Sequence, residues 1–190
     1  MRGWDTSLTW VLAGCLLLVL GQSLGREAVT APILAPAPTP QAVLVASLDD
    51  PDAASVLLAL SLQNLGEARG EAPSLRTFDL DRVVGWLRLI DGLRSGSELA
   101  PALLALEFAI ATSPRGARHL ARVLADMSDR DPLRRWPWRV HAVYLAGRKG
   151  NDLALARDLS RPLTSLPPDR VPPWVPGLFS SIDHIGKGLP

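Results

Sequence analysis

Lysine, cysteine and tyrosine are nearly missing from this chain of 190 residues, which has two, one and one of them respectively. A lone cysteine, Cys15, excludes an intramolecular disulfide framework and any zinc site built from thiolates. Histidine is scarce as well. His119, His141 and His184 fall on three different expected helices, and no His-x-x-x-His or Glu-x-x-His spacing joins them, so no metal centre is expected. Neither Gly-x-Ser-x-Gly nor the phosphate-cradling Gly-x-x-x-x-Gly-Lys-Ser/Thr pattern occurs. Asp79 and Asp81, or Asp126, Asp129 and Asp131, are read as helix caps and solvated loop acids and not as an acid/base pair. The chain is therefore not read as an enzyme, and no cofactor or small-molecule substrate is implied. Long apolar runs are also missing, with one exception near the N-terminus; elsewhere apolar residues alternate with charge, which excludes a polytopic membrane protein.

What is present is enough apolar material to bury a core, 47% of the residues with mean hydropathy +0.16. The net charge of +1 hides two opposed halves. Residues 26–112 carry 6 Arg against 11 Asp/Glu, and residues 113–161 carry 11 Arg/Lys against 5 Asp. Their nets are −5 and +6. A global pull toward nucleic acid is absent, but a local basic surface in the second half is possible.

The exceptional apolar run spans Leu8 to Leu24 without a charge, after Met1-Arg2-Gly3-Trp4-Asp5 and before Arg26-Glu27. Its 17 residues reach about 25 Å as a helix, the short end of a bilayer span. The run reads as a signal anchor or, with small residues at Ser23 and Gly25, as a cleavable signal peptide occupying residues 1–25. In both cases Arg2 is the flank retained in the cytoplasm, so the remainder is exported. Leu12-Ala13-Gly14-Cys15 looks like a lipobox, but the most apolar residues, Leu16 to Leu20, follow the cysteine instead of preceding it.

Residues 26–48 are read as a linker. Prolines at 32, 36, 38 and 40 fix φ and remove donors, which predicts an extended spacer, followed at 41–48 by a stretch with weak strand character. From residue 49 to 190 the punctuation is that of short helices. Asp50 or Asp52 caps a segment ending near Asn64, and Asp79 caps one with Leu80, Val83, Val84, Leu87 and Ile90 at helical spacing. Ser97 opens a nearly all-apolar segment from Leu99 to Ala111, and Ser113-Pro114 opens one to Met127. Asp131-Pro132 opens one to Lys149-Gly150, Asp152 one to Leu163, and Val175 to Ile185 a last one. Six or seven helices with short connections make an all-α domain.

The most unusual passage is Arg134-Arg135-Trp136-Pro137-Trp138-Arg139. Two readings compete for it: indoles packed between helical hairpins with guanidinium groups reaching the acidic half, or a protein or lipid contact surface, since Trp and Arg concentrate at binding hot spots. Arg115, Arg118 and Arg122 recur at i, i+3 and i+7, a basic stripe opposite Leu120, Val123, Leu124 and Met127. If the stripe shares a concave wall with Arg135 and Arg139, the result is a groove for an acidic or C-terminal-carboxylate peptide. Arg115, Arg118, Arg122, Arg135, Trp136, Trp138 and Arg139 are thus the candidate partner-binding residues; an exported protein is not expected to meet nucleic acid.

Val143 to Ala156, with Pro167 beyond, resembles the tetratricopeptide repeat, whose small residues let two helices of a hairpin approach closely. Residues 79–176 together resemble bacterial proteins with one N-terminal membrane segment and a tetratricopeptide-like body. That likeness rests on Asp79-Leu80 and Trp86, on the passage from Asp131 to Trp138, and on Val171-Pro172-Pro173-Trp174. Gly92 to Ser97 departs from it, where a better-defined turn would be expected. The resemblance implies antiparallel helical hairpins, in a right-handed superhelix or irregular bundle, anchored in the inner membrane and facing the periplasm; it implies no activity. The expected function is that of a membrane-tethered adaptor or scaffold for protein partners in the cell envelope. The alternatives are a small envelope hydrolase or lytic enzyme, and a non-catalytic structural subunit of an envelope complex.

Overall fold

The computed structural model describes residues 34–64, 79–94, 96–109 and 112–186. The Leu8–Leu24 run and Cys15 lie outside the described residues. Among the described residues the chain is all helical, with eight α-helices, and none of them is long and apolar enough to cross a membrane.

The first helix, α1 (Pro40–Ala46), stands where weak strand character was read. Thr39 Oγ1 accepts the Ala42 amide at 3.3 Å and Pro40 takes the first helical position, a start signal that outweighs the β-branched residues following it. Nor is the proline-rich stretch from Leu34 to Thr39 a free spacer. Leu34 is buried in the main core, its carbonyl accepts from Arg82 Nη1 at 2.7 Å, and the Ala35 carbonyl accepts from the Trp86 indole at 2.9 Å. An extended proline-rich backbone has no internal hydrogen bonds, so its carbonyls are available to donors from a neighbouring helix.

Helix α2 (Pro51–Gln63) starts at Asp50, whose carboxylate accepts the Asp52 and Ala53 amides at 3.0 Å. Helix α3 (Leu80–Leu93) starts at Asp79 in the same way and buries Val83, Val84, Leu87 and Ile90, the stripe legible in the sequence. The apolar third segment divides into α4 (Leu99–Leu103) and a π-helical turn, Leu104–Phe108. Helix α5 (Pro114–Ser128) begins at Ser113, and α6 (Pro132–Tyr144) begins at Asp131 and ends in a second π-helical turn, Leu145–Lys149. After α7 (Leu153–Ser160) and a 3₁₀ turn (Arg161–Ser165) comes α8 (Trp174–Gly186). Each helix packs largely on its chain neighbour, α2 on α3, α5 on α6, α6 on α7 and α7 on α8.

The π turns close with i→i+5 bonds, Ala109 N–H to Leu104 O at 3.0 Å and Gly150 N–H to Leu145 O at 2.7 Å. Such a turn rotates carbonyls out of the α register and leaves them for side chains. The Ala105 carbonyl is hydrogen-bonded by His141, and the Ala109 carbonyl accepts from Lys149 Nζ at 3.2 Å. The ends of α4 and α6 are thereby tied together. Small residues make the next seam: a Cβ on Gly147 would lie 3.5 Å from that of Ala156, ordinary contact distance between α6 and α7. Gly150 is tighter, since a Cβ there would sit 2.7 Å from the Ala146 carbonyl oxygen and 2.7 Å from Arg118 Cγ.

Gly150→Ala must displace backbone, and should lower the urea midpoint by an amount equivalent to about 1–3 kcal/mol; Gly147→Ala, with room for its methyl, should change it little. Burial pushes the His141 pKa below its ordinary 6.5, against the opposing pull of the Ala105 hydrogen bond. A folded pKa below the unfolded one means that the unfolded chain binds the proton more readily, so stability is full above 6.5 and declines as pH falls from there through the folded value. His141→Asn should flatten that decline in denaturation curves measured between neutral and mildly acidic pH.

Candidate functional site

The Arg/Trp passage forms the first turns of α6. Asp131 accepts the Arg134 amide at 3.2 Å and Pro132 sets the first φ, which fixes the phase of the helix. With 3.6 residues per turn, Arg135 and Arg139 then share one face, and both are buried.

Arg135 has no exposed surface at all, and neither does the acid it meets, Asp91 on α3. Nη1 of Arg135 lies 2.8 Å from Asp91 Oδ1 and donates to the Met127 carbonyl at 2.9 Å. Nη2 donates to the Ser97 carbonyl, and Nε faces Glu98 Oε1 at 3.9 Å. The second Asp91 oxygen takes Arg130 Nη1 at 2.8 Å. Glu98 in turn receives Arg134 Nε at 3.2 Å and the Trp138 indole N–H. Arg139 closes the edge on Asp129. One guanidinium fork therefore joins α3, the α3–α4 connection, the end of α5 and the start of α6. The two carbonyls take hydrogen bonds from the fork, whereas Arg135 Nε, both Asp91 oxygens and Glu98 Oε1 meet their partners as ion pairs without a hydrogen bond of regular geometry, so the buried charge is held by opposite charge as much as by directed donors.

The opposed charges of the two halves meet here. Asp91 and Glu98 come from the acidic half, and Arg130, Arg134 and Arg135 from the basic one; Arg94–Asp52 at 3.0 Å and Arg118–Asp152 at 3.9 Å add exposed or half-exposed pairs elsewhere. Asp91 was not among the candidate residues. Its signal was its place four residues after Leu87, on the apolar stripe of α3, where an acid demands a partner.

The seven candidates do not form one wall. Arg135 and Arg139 turn inward and are buried, as in the first of the two readings of the passage. Trp138 is half-buried against the main core. Trp136 goes to a second cluster with Leu163, Leu166, Val171 and Val175, where Trp174 meets it edge-on at 6.0 Å. Arg118 donates to the Gly150 carbonyl at 2.6 Å. Arg115 and Arg122 alone among the seven are exposed, on one face of α5.

His119 Nε2 lies 3.4 Å from Asp81 Oδ1 and links α5 to α3, apart from His141. Among the described residues no group of three His, Cys, Asp or Glu side chains could hold a metal ion. Comparison with known proteins gives no matching family model, no matching curated protein and no matching solved structure.

Removing one partner of the buried pair leaves the other uncompensated. Asp91→Ala should cost about 3–5 kcal/mol of unfolding free energy by urea titration, whereas Asp91→Leu combined with Arg135→Met should recover most of the loss. Equal destabilisation by the single and double variants would show that the pair is not the unit described.

Proposed function

We propose that this chain is a membrane-tethered adaptor of the bacterial cell envelope, its helical body facing the periplasm and binding a protein partner. The reading of Leu8 to Leu24 as an export and anchoring segment supplies the tether. Successive packed hairpins, the Gly147–Ala156 seam and the π turns ending both α4 and α6 support a tetratricopeptide-like repeat arrangement for the body.

One observation carries the binding proposal. Most of the Arg/Trp passage is engaged within the fold, while Arg115 and Arg122, two turns apart on α5, extend into solvent. The internal ion pairs fix the helices, so the exposed guanidinium groups are held at a set spacing on a rigid support. Such a pair suits an acidic segment or a C-terminal carboxylate.

Co-purification from detergent-solubilised membranes tests the proposal. The wild-type chain should retain a stoichiometric partner, and Arg115→Glu with Arg122→Glu should reduce its recovery tenfold or more, about 1.4 kcal/mol or beyond, without altering the circular dichroism. A wild-type chain that purifies alone, or a partner indifferent to the charge reversal, would overturn it. Charge reversal at Arg135 is unsuitable, because it would unfold the support.

A further inference from the structure

Five of the ten exposed large apolar side chains described in the fold fall between residues 45 and 60: Val45, Leu48, Val56, Leu57 and Leu60. The other five are dispersed from Leu106 to Trp174. Val56, Leu57 and Leu60 form an outward stripe on α2, and Leu57 borders a groove of about 280 Å³ between α1 and α2 whose walls include Pro38, Ala42, Ala46, Ser47 and Leu58. Leu57 thus belongs both to the outward stripe of α2 and to the groove between the two helices. At its tip stands Leu48, 92% exposed and with φ of 54°. A left-handed turn position favours glycine or asparagine, and an exposed one favours a polar side chain. Leucine there satisfies neither preference.

We infer that the α1–α2 hairpin rests on the bilayer surface, with Leu48 and the Val45/Leu57/Leu60 face entering the interface between headgroups and acyl chains. The inference rests on the membrane-tether reading of Leu8 to Leu24. Nine residues separate that run from Leu34, and fully extended they reach roughly 35 Å. Leu34 is fixed on α3 by its own burial and by Arg82, and Pro38, four residues on, already lines the apolar groove. The apolar groove therefore begins within four residues of Leu34, the first described residue after that run. Its charge selects the kind of lipid: residues 34–64 contain no Lys or Arg, and although Asp52 is paired with Arg94 at 3.0 Å, Asp49 and Asp50 stand beside Leu48, so a zwitterionic interface is favoured over an anionic one. A second copy of the same hairpin would bring like charges together.

The full chain, carrying Cys15→Ser and a single new cysteine labelled with the fluorophore NBD, tests the inference in vesicles of phosphatidylcholine and phosphatidylethanolamine. Leu48→Cys and Leu57→Cys, both at exposed positions, should be quenched several-fold more strongly by lipids spin-labelled near the headgroup than Leu133→Cys on α6. Part replacement by phosphatidylglycerol at low salt should weaken that quenching. If the chain co-floats with vesicles but positions 48, 57 and 133 are quenched alike, the hairpin does not touch lipid and the inference fails while the tether stands. A blue-shifted yet unquenched Leu48 probe would assign the face to protein, also overturning it. A chain that fails to co-float would remove the tether reading and this inference together.

Discussion

A fully buried arginine cannot be left unpaired, and the ion pairs of Arg135 organise the centre of this fold. Its donors require a carboxylate from α3, carbonyls from the α3–α4 connection and from the end of α5, and a second acid at its edge. Four chain segments must arrive together for the charge to be tolerated. Apolar packing alone, which is non-directional, would accept several sliding arrangements of helices as rich in Ala and Leu as these. The guanidinium fork accepts one. A point charge on a flexible stem would not reach in four directions at once.

The same pairing changes the meaning of the charge distribution. A −5 half and a +6 half suggested a surface for an acidic partner. Part of that charge instead holds one half to the other, through Asp91 and Glu98 with Arg130, Arg134 and Arg135, while Arg115 and Arg122 of the stripe on α5 remain outward. The two uses are complementary. A pair of arginines is a precise recognition element only if the helix beneath it does not move, and α5 is held by Arg135 through Met127, by Arg130 through Asp91 and by Arg118 through Gly150.

Much of the helical order was legible from capping chemistry. Asp50, Asp79, Ser113, Asp131 and Asp152 each sit where a side chain satisfies orphan amides, and each begins a helix. The stripe of α3 was equally legible, because its period is that of the helix. Less so was α1, where Val and Leu beside four prolines gave a local preference that the Thr39 cap and tertiary contact overrode. The docking of Leu34 was not visible at all, since it depends on Arg82 and Trp86 from a distant helix. The π turns have no composition of their own. Arg135 and Arg115 look alike in the sequence; one is wholly buried because helical phase places it opposite Asp91, and the other is exposed because it faces away from Leu120 and Leu124. Binding surface and internal lock could be separated only by that phase.

Arginine accessibility measures this division directly. Native full-length chain treated with phenylglyoxal and mapped by mass spectrometry should be modified readily at Arg115 and Arg122 and be protected at Arg135, with Arg139 nearly so, and all four should react in denaturant. Modification of Arg135 in the native chain at the rate of Arg115 would contradict the account, because the residue said to hold the helices together would then be on the surface.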